Sequence, residues 1–183
     1  MISSKCISTG GLIIVETNRL IIRNFSDDDF QDFSALICDK MKSKYSVYDE
    51  QFPTDDESIK GLFSFFKDSE EFFGIELKSP KKIVGFVSLN YIDEHTRNLG
   101  YCIHTEYQGR GYASEVVMEI MKYAHKILNV HKLVSGTAVE NEPSVKLLLK
   151  SGFSIVDKCK GSFVDDEQGN PIIFTGCSFE YMF

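Results

Sequence analysis

The sequence lacks the features that divide a chain into separate parts. Its 183 residues contain no linker, no run rich in serine, glycine and proline, no tandem repeat and no low-complexity segment. A chain of this length with 43% hydrophobic and 26% charged residues fits one globular domain with its own core. We therefore expect a single domain over residues 1–183.

Long apolar runs and paired cysteines are also missing. No run approaches the length that crosses a membrane, and residues 1–11 hold no apolar stretch long enough for a secretion signal. The five cysteines are odd in number and show neither a CxxC pair nor a cysteine–histidine spacing typical of metal sites. These absences predict a cytoplasmic protein with no metal and no membrane partner.

Basic residues are outnumbered by acidic ones. The net charge is -7 and the isoelectric point is about 5.1. This balance makes nucleic acid an unsuitable partner. It is compatible with two interpretations, a mild attraction for cationic acceptors or an ordinary acidic surface.

The hydrophobic pattern predicts seven strands and four helices. The predicted strands lie at 19–25, 72–77, 82–92, 98–103, 131–139, 153–159 and 172–183. The predicted helices open near Ser26, Thr54, Gly111 and Asn141. The third, over about 110–128, should be the longest or nearly so. The order β-α-α-β-β-β-α-β-α-β-β predicts an α+β domain with a mixed, mostly antiparallel sheet flanked by helices.

A short stretch, "YQGRGYASE" at residues 107–115, links a predicted strand to the third helix. Glycine allows close approach to the backbone, and the free amides of a helix N-terminus bind anions. Arg110 adds a positive charge. The stretch therefore predicts a site for a phosphate-bearing ligand, although Gly109 and Gly111 would also suit a plain tight turn.

Two common phosphate motifs do not fit this stretch. A Walker loop requires GK[ST], and a dinucleotide fingerprint requires GxGxxG/A followed by an acid about twenty residues later. A third pattern, Q/R-x-x-G-x-G/A, is met by Gln108, Gly111 and Ala113. It is the pyrophosphate loop of the GCN5-related N-acetyltransferases, which bind acetyl-CoA.

Three blocks in order resemble this family, in its RimJ/RimL-type bacterial branch. They are "ETNRLIIRNFSDDD", "LGYCIHTEYQGRGYASEVV" and "NEPSVKLLLKSGF". The resemblance extends over about residues 16–183. It implies acetyl transfer from acetyl-CoA to an amine, with no metal required.

The resemblance also implies which residues hold acetyl-CoA. The pyrophosphate would bind at Gln108, Gly109, Arg110, Gly111, Tyr112 and Ala113. The pantetheine arm would lie along Tyr101, Cys102 and Ile103, in a gap between that strand and "HKLVSGTAV". The backbone amide of Ile103 is then the candidate donor to the oxyanion.

The usual proton donor of the family is absent. Many members carry a tyrosine seven residues after the asparagine of N-x-x-S/A, and this sequence has Leu148 there. In RimL-like enzymes the serine of N-x-x-S is the proposed donor, which corresponds to Ser144. Ser144 could equally be a first-turn hydroxyl of the helix. Asn141 could cap that helix, bind the pantetheine amides, or do both.

Several residues are candidates for the general base. Asp93, Glu94 and His95 form one sequence cluster, from which Glu94 is our candidate; His104 and Glu106 lie nearer the phosphate loop. A water relay would make a base unnecessary.

The acceptor site should involve the loop between the first two helices. Tyr45, Tyr48 and Asp49 are the candidates, because acids and aromatic rings suit an amine; a solvated loop is the alternative. The acceptor could be a protein N-terminus, as for ribosomal-protein alanine acetyltransferases, or a small amine, polyamine or antibiotic. We expect a monomer or homodimer. A non-catalytic acyl-CoA-binding module is the alternative function.

Overall fold

A computed structural model describes residues 11–183, so the expectations for the first ten residues, with Cys6, lie outside the described part. The strands are β1 (Ile13–Glu16), β2 (Leu20–Arg23), β3 (Phe72–Lys78), β4 (Lys81–Asp93), β5 (Thr96–Ile103), β6 (Lys132–Ala138), β7 (Ser154–Gly161) and β8 (Phe174–Met182). The helices are α1 (Phe30–Lys42), α2 (Asp56–Asp68), α3 (Tyr112–Lys126) and α4 (Glu142–Lys150). Short 3-10 turns occupy 27–29, 46–48 and 105–107.

All eight strands form one sheet, in the order β1-β2-β3-β4-β5-β6-β8-β7. Every neighbouring pair is antiparallel apart from β5 and β6, which run parallel. The parallel pair is joined by the α3 crossover, since parallel strands require a long connection. The predicted α+β class with a mixed, mostly antiparallel sheet is confirmed.

The helices cover both faces of the sheet with apolar side chains. On one face, α3 contributes a buried stripe made of Val116, Val117, Ile120, Met121 and Ala124. On the other face, α1 and α2 bury a cluster of phenylalanines against β4. With 15 residues, α3 is the longest helix of residues 11–183, as its apolar spacing predicts.

Two local predictions are wrong. An additional strand, β1, precedes the first predicted one and pairs with β2 at the edge of the sheet; its four residues are too few to show a clear alternation. Helix α2 begins at Asp56 and is capped by Asp55, whose carboxylate accepts a hydrogen bond from the Ser58 amide at 2.9 Å. Thr54 is therefore one residue outside the cap.

Within residues 11–183, no helix combines the length and the apolar character that a membrane crossing requires. Cys38, Cys102, Cys159 and Cys177 are free thiols. The same residues contain no group of three histidine, cysteine, aspartate or glutamate side chains placed to hold a metal ion.

A buried ion-pair network fixes α1 to the sheet. The Arg23 guanidinium donates two hydrogen bonds to Asp29, at 2.7 and 2.8 Å, and one to Glu76, at 2.5 Å. Burial opposes charge on Asp29, but hydrogen bonds from Arg23 and from the Ser26 amide outweigh it and lower the pKa of Asp29. Asp29 also marks the start of α1, so this one network orders β2, β3 and the helix that follows.

We predict that Arg23→Met destabilises the protein by about 3–5 kcal/mol at neutral pH, because it leaves two carboxylates buried without a cation. The lowered pKa of Asp29 means that the pair's contribution is complete above the unfolded carboxyl value of about 4 and is lost as the pH falls further. The unfolding midpoints of variant and parent should therefore converge below that pH.

Lys67→Met provides the control, because Lys67 pairs with Asp27 at the surface, where ion pairs contribute little. Equal losses from the two variants in thermal unfolding would contradict a special role for Arg23.

Candidate functional site

A gap opens between β5 and β6 at the centre of the sheet. The two strands pair only where Thr96, Arg97 and Asn98 meet Lys132, Leu133 and Val134. Alternate residues of a strand direct their amides to opposite sides, and the His104 amide bonds the Val84 carbonyl of β4. The amides of Tyr101 and Ile103 therefore point away from β4, into the gap.

Side chains terminate the gap at both ends. The Ser135 hydroxyl donates to the Leu99 carbonyl at 2.9 Å, where the strands begin to separate. The side-chain amide of Gln108 donates to the Ile103 carbonyl at 2.8 Å, at the end of β5. Between these two contacts, β5 presents a free strand edge on which an extended ligand can form backbone hydrogen bonds.

The glycine loop lies beside the open end of this gap and leads into α3. Gly109 and Gly111 have φ angles of +73° and +82°, which favour glycine strongly. A Cβ built on Gly109 would meet nothing within 4 Å, so the backbone is open to a ligand. The first backbone hydrogen bond of the helix runs from the Glu115 amide to the Gly111 carbonyl. The backbone amides of the helix residues that precede Glu115 point towards the loop, as an anion site requires.

An ion pair between Arg19, just before β2, and Glu115 braces this loop. Glu115 of α3 accepts hydrogen bonds from Thr17 at 2.5 Å and from Arg19 at 2.8 Å. Arg19 also donates to the Arg110 carbonyl at 2.9 Å. Partial burial opposes the charge on Glu115, but these hydrogen bonds outweigh it and lower its pKa. Thr17 and Arg19 belong to the T-x-R-L block, so that block is the sequence signal for the brace.

Two cavities meet at the gap. The smaller, of about 480 Å³, runs along the glycine loop and the end of β5. The larger, of about 830 Å³, lies under the loop between α1 and α2. The residues that line both are Lys40, Tyr45, Asp49, Tyr101, Asn141 and Ser144. A molecule in either cavity would contact a molecule in the other at this junction.

Ser144 and Tyr101 form a hydroxyl pair at the junction. Their oxygens are 2.8 Å apart. Burial raises the pKa of Tyr101 to about 12, although the hydrogen bond with Ser144 opposes the rise. The phenol thus stays protonated at neutral pH and can donate to Ser144. Leu148, at the position of the usual tyrosine, is fully buried in the core.

The three acceptor candidates line the larger cavity, and Tyr45 and Asp49 also reach the smaller one. Asp49 pairs with Lys40 of α1 at 2.9 Å. Lys40 also lies over the Phe52 ring, 4.7 Å from its centroid. Lys40 has no sequence signal of its own, because its position becomes meaningful only when the loop folds back over α1.

Most of the other predicted cofactor-binding residues lie along the smaller cavity, namely Cys102 and the loop residues from Gln108 to Ala113 apart from Arg110. The Arg110 side chain instead donates to the Glu106 carbonyl at 3.0 Å. Asn141 begins α4 and lines both cavities, but its side chain makes no cap hydrogen bond.

Glu94 lies far from the other candidate residues of the site. It is exposed in the turn between β4 and β5, next to Asp93, the exposed last residue of β4, and His95, which is half-buried. The length of β5 separates this turn from Ile103, a distance on the order of 20 Å at about 3.3 Å per residue. Neither cavity includes Glu94 among its lining residues.

Comparison with known proteins gives one consistent result. A family model described as an acetyltransferase (GNAT) domain matches residues 19–154. The chain is 31% identical over 140 residues to an uncharacterized N-acetyltransferase, YnaD, of Bacillus subtilis, which covers 75% of this chain and 81% of that protein.

Two further matches extend this likeness. A spermidine N(1)-acetyltransferase of Vibrio cholerae is 29% identical over 109 residues, 58% of this chain and 62% of that protein. A crystal structure of a GNAT-family acetyltransferase from Bacillus anthracis has the same fold, with a TM-score of 0.75 at 22% identity over 92% of this chain and 97% of that one.

We predict that Glu115→Ala loosens the glycine loop, because Arg19 and Thr17 lose their common partner. Hydrogen exchange measured by mass spectrometry should accelerate roughly threefold to tenfold at residues 105–114, as expected if the brace is worth about 1 kcal/mol. Glu142→Ala, which removes an exposed pair with Lys146 on α4, is the matched control. Unchanged exchange in the Glu115 variant would show that the loop holds its shape without the brace.

Proposed function

The chain belongs to the GNAT family of acetyltransferases, and on that premise we propose that it transfers an acetyl group from acetyl-CoA to a primary amine by direct attack on the thioester. The observation that carries the proposal is the gap between β5 and β6, which opens beside the N-terminus of α3. One ligand with a phosphate end and an extended amide arm would satisfy both features. We assign the chain to the RimJ/RimL-type branch on the three sequence blocks described above.

We propose that acetyl-CoA occupies the smaller cavity. The amides at the start of α3 and the open backbone at Gly109 suit its pyrophosphate. The free edge of β5 at Tyr101 suits the amide groups of its pantetheine arm. Asn141, across the gap on α4, is the candidate partner for the same arm. Arg110 adds charge at the rim of the loop, where it contributes less than the backbone amides.

The thioester would then lie at the junction of the cavities. The Ile103 amide, free on the gap side, is the candidate donor to the charge that develops on the thioester oxygen. Ser144 is the candidate donor to the departing sulfur. Either hydroxyl of the pair can be the donor, and when Tyr101 donates to Ser144 the serine proton is available for the sulfur. The amine nitrogen would add to the thioester carbon, and the C–S bond would then break; the proton lost by the amine balances the one gained by the thiol.

The larger cavity is the proposed acceptor site. Tyr45, Tyr48 and Asp49 line it, and Tyr45 and Asp49 also line the junction. A polyamine, another small amine or a protein N-terminus are the candidate acceptors, since a relative acts on spermidine and the RimJ/RimL-type branch includes N-terminal acetyltransferases. Glu94 is not part of this proposal, because a base in the remote turn could not reach the junction.

We further propose that the chain acts as one domain, because a single sheet carries both apolar clusters. Its relatives are bacterial, and its free thiols suit the reducing bacterial cytoplasm.

Acetyl-CoA should raise the melting temperature by mass action, and Gly111→Asp should abolish the shift, because it places bulk and negative charge at the pyrophosphate. Gly169→Asp is the matched control: Gly169 also has a positive φ, of +82°, but lies in the turn between β7 and β8, far from the loop. A folded Gly111→Asp protein that binds acetyl-CoA as tightly as the parent would contradict the assigned site.

Ser144→Ala should lower kcat by roughly 10- to 1,000-fold with little change in acetyl-CoA affinity, because the hydroxyl acts mainly in the transition state. Tyr101→Phe should lower kcat by roughly tenfold, the worth of one hydrogen bond to Ser144. The double variant should lose no more than Ser144→Ala alone, since both changes act on one donor.

Tyr181→Phe is the control for a lost phenol outside both cavities. A Ser144→Ala protein that loses about 1 kcal/mol of stability but keeps its kcat would make Ser144 a residue of the helix start only. Thiol release from acetyl-CoA across a panel of amines distinguishes the enzyme from the non-catalytic alternative, which would bind acetyl-CoA and release none.

A further inference from the structure

The larger cavity contains very little uncompensated charge. Its charged lining residues are Lys40, Asp49 and Glu50. Lys40 and Asp49 neutralise each other at 2.9 Å. Glu50 forms no ion pair with any of the described residues. A ligand with several ammonium groups would find one free carboxylate and would have to leave its other charges against uncharged walls, which is unfavourable.

Aromatic rings form the walls instead. Tyr45 and Phe52 line the cavity from the loop between α1 and α2. At the end remote from α2, three rings from three segments form what we term the distal aromatic cluster: Tyr48, Phe163 and Phe174. The Phe163 and Phe174 rings stack at 5.4 Å with 12° between their planes, and the Tyr48 ring meets Phe174 edge-on at 6.1 Å.

The sheet provides a floor of small side chains beneath these rings. Ser88 pairs with Gly100 across β4 and β5, and Gly136 pairs with Ser178 across β6 and β8. A Cβ on Gly136 would have its nearest neighbour 3.9 Å away, so the floor has room above it. The walls and the floor together form a slot lined by aromatic rings and small side chains.

The slot leads from the reaction centre to the distal aromatic cluster. Tyr101 and Ser144 stand at its inner end, where it joins the smaller cavity. Phe174 lies on β8, two strands away from β5, and because β5 and β6 have separated at this point the two strands are more than about 10 Å apart, the distance that two regular spacings of about 4.8 Å would give. A ring on a short alkyl linker can extend from the cluster towards the junction with its amine at the inner end.

Building on the proposed acetyltransferase function, we propose that the acceptor is a small primary amine with one positive charge and an aromatic body, whose ring packs in the distal aromatic cluster while its amine lies at Tyr101 and Ser144. Burial of the ring supplies the binding energy, as aromatic surface does in apolar pockets. Glu50 is the one carboxylate placed to attract the single ammonium group as it enters.

The first experiment measures thiol release from acetyl-CoA with four amines. 2-Phenylethylamine is the aromatic monoamine, and n-propylamine is its ring-free counterpart. Spermidine is the polyamine, and a peptide that begins with alanine represents a protein N-terminus. We expect kcat/KM for 2-phenylethylamine to exceed that for each of the other three by roughly tenfold or more, the effect of burying one ring.

The second experiment tests where the ring binds. Phe163→Ala should raise KM for 2-phenylethylamine by roughly threefold to tenfold, the worth of one aromatic contact, and should affect n-propylamine, which has no ring to pack there, much less. Phe163 is 51% exposed, so its loss should not disturb folding. Tyr91→Ala removes a ring that is 61% exposed and lies outside both cavities, and serves as the matched control.

Several results would overturn the proposal. Spermidine or the peptide could be the best of the four substrates, or n-propylamine could match 2-phenylethylamine. The ring-bearing amine could fail to react with a protein that still binds acetyl-CoA. The Phe163 and Tyr91 variants could also behave alike. A protein that does not bind acetyl-CoA would instead refute the proposed function itself, so the two failures are distinguishable.

Discussion

β5 and β6 run parallel, pair over three residues on each strand and then separate, and every feature of the candidate site depends on that separation. A continuous pairing would consume the backbone groups of Tyr101 and Ile103 and close the passage between the two cavities. The crossover helix α3 begins at the open side, so its free amides and the free strand edge face one ligand. In the proposed function, this local loss of strand pairing places an anion site and a template for an extended chain beside the point where two substrates would meet.

The open gap is preserved by polar contacts at its edges. The side chains of Ser135 and Gln108 donate hydrogen bonds to the carbonyls of Leu99 and Ile103, which would otherwise bond a partner strand. At longer range, Arg19 ties the glycine loop and α3 to the start of β2. Four residues later, Arg23 ties the same strand to α1, whose Lys40 holds the loop between α1 and α2 through Asp49. The T-x-R-L-x-x-R block therefore fixes both sides of the site from a single strand.

The sequence predicted those features that a local rule determines. The buried stripe of α3 follows from its helical spacing, and the turn before it, whose backbone is open to a ligand at Gly109, follows from the two glycines. Features that depend on how distant segments meet could not be predicted. Tyr101 and Ser144 are 43 residues apart, and their contact depends on the angle at which α4 crosses β5. Glu94 belongs to a polar cluster in the sequence, but the turn between β4 and β5 places it at the end of β5 that is remote from Ile103.

Leu148 has a consequence for how this site can change during evolution. It occupies the place of the usual tyrosine, yet it is completely enclosed by the core beneath α4. A phenol introduced there would have to bury its hydroxyl among apolar neighbours or push them aside, and overpacking of that kind costs roughly 1–3 kcal/mol. The phenol of Tyr101 already stands on the opposite wall. A tyrosine at position 148 would therefore cost stability in this core, and in the proposed site the phenol is supplied from β5 instead.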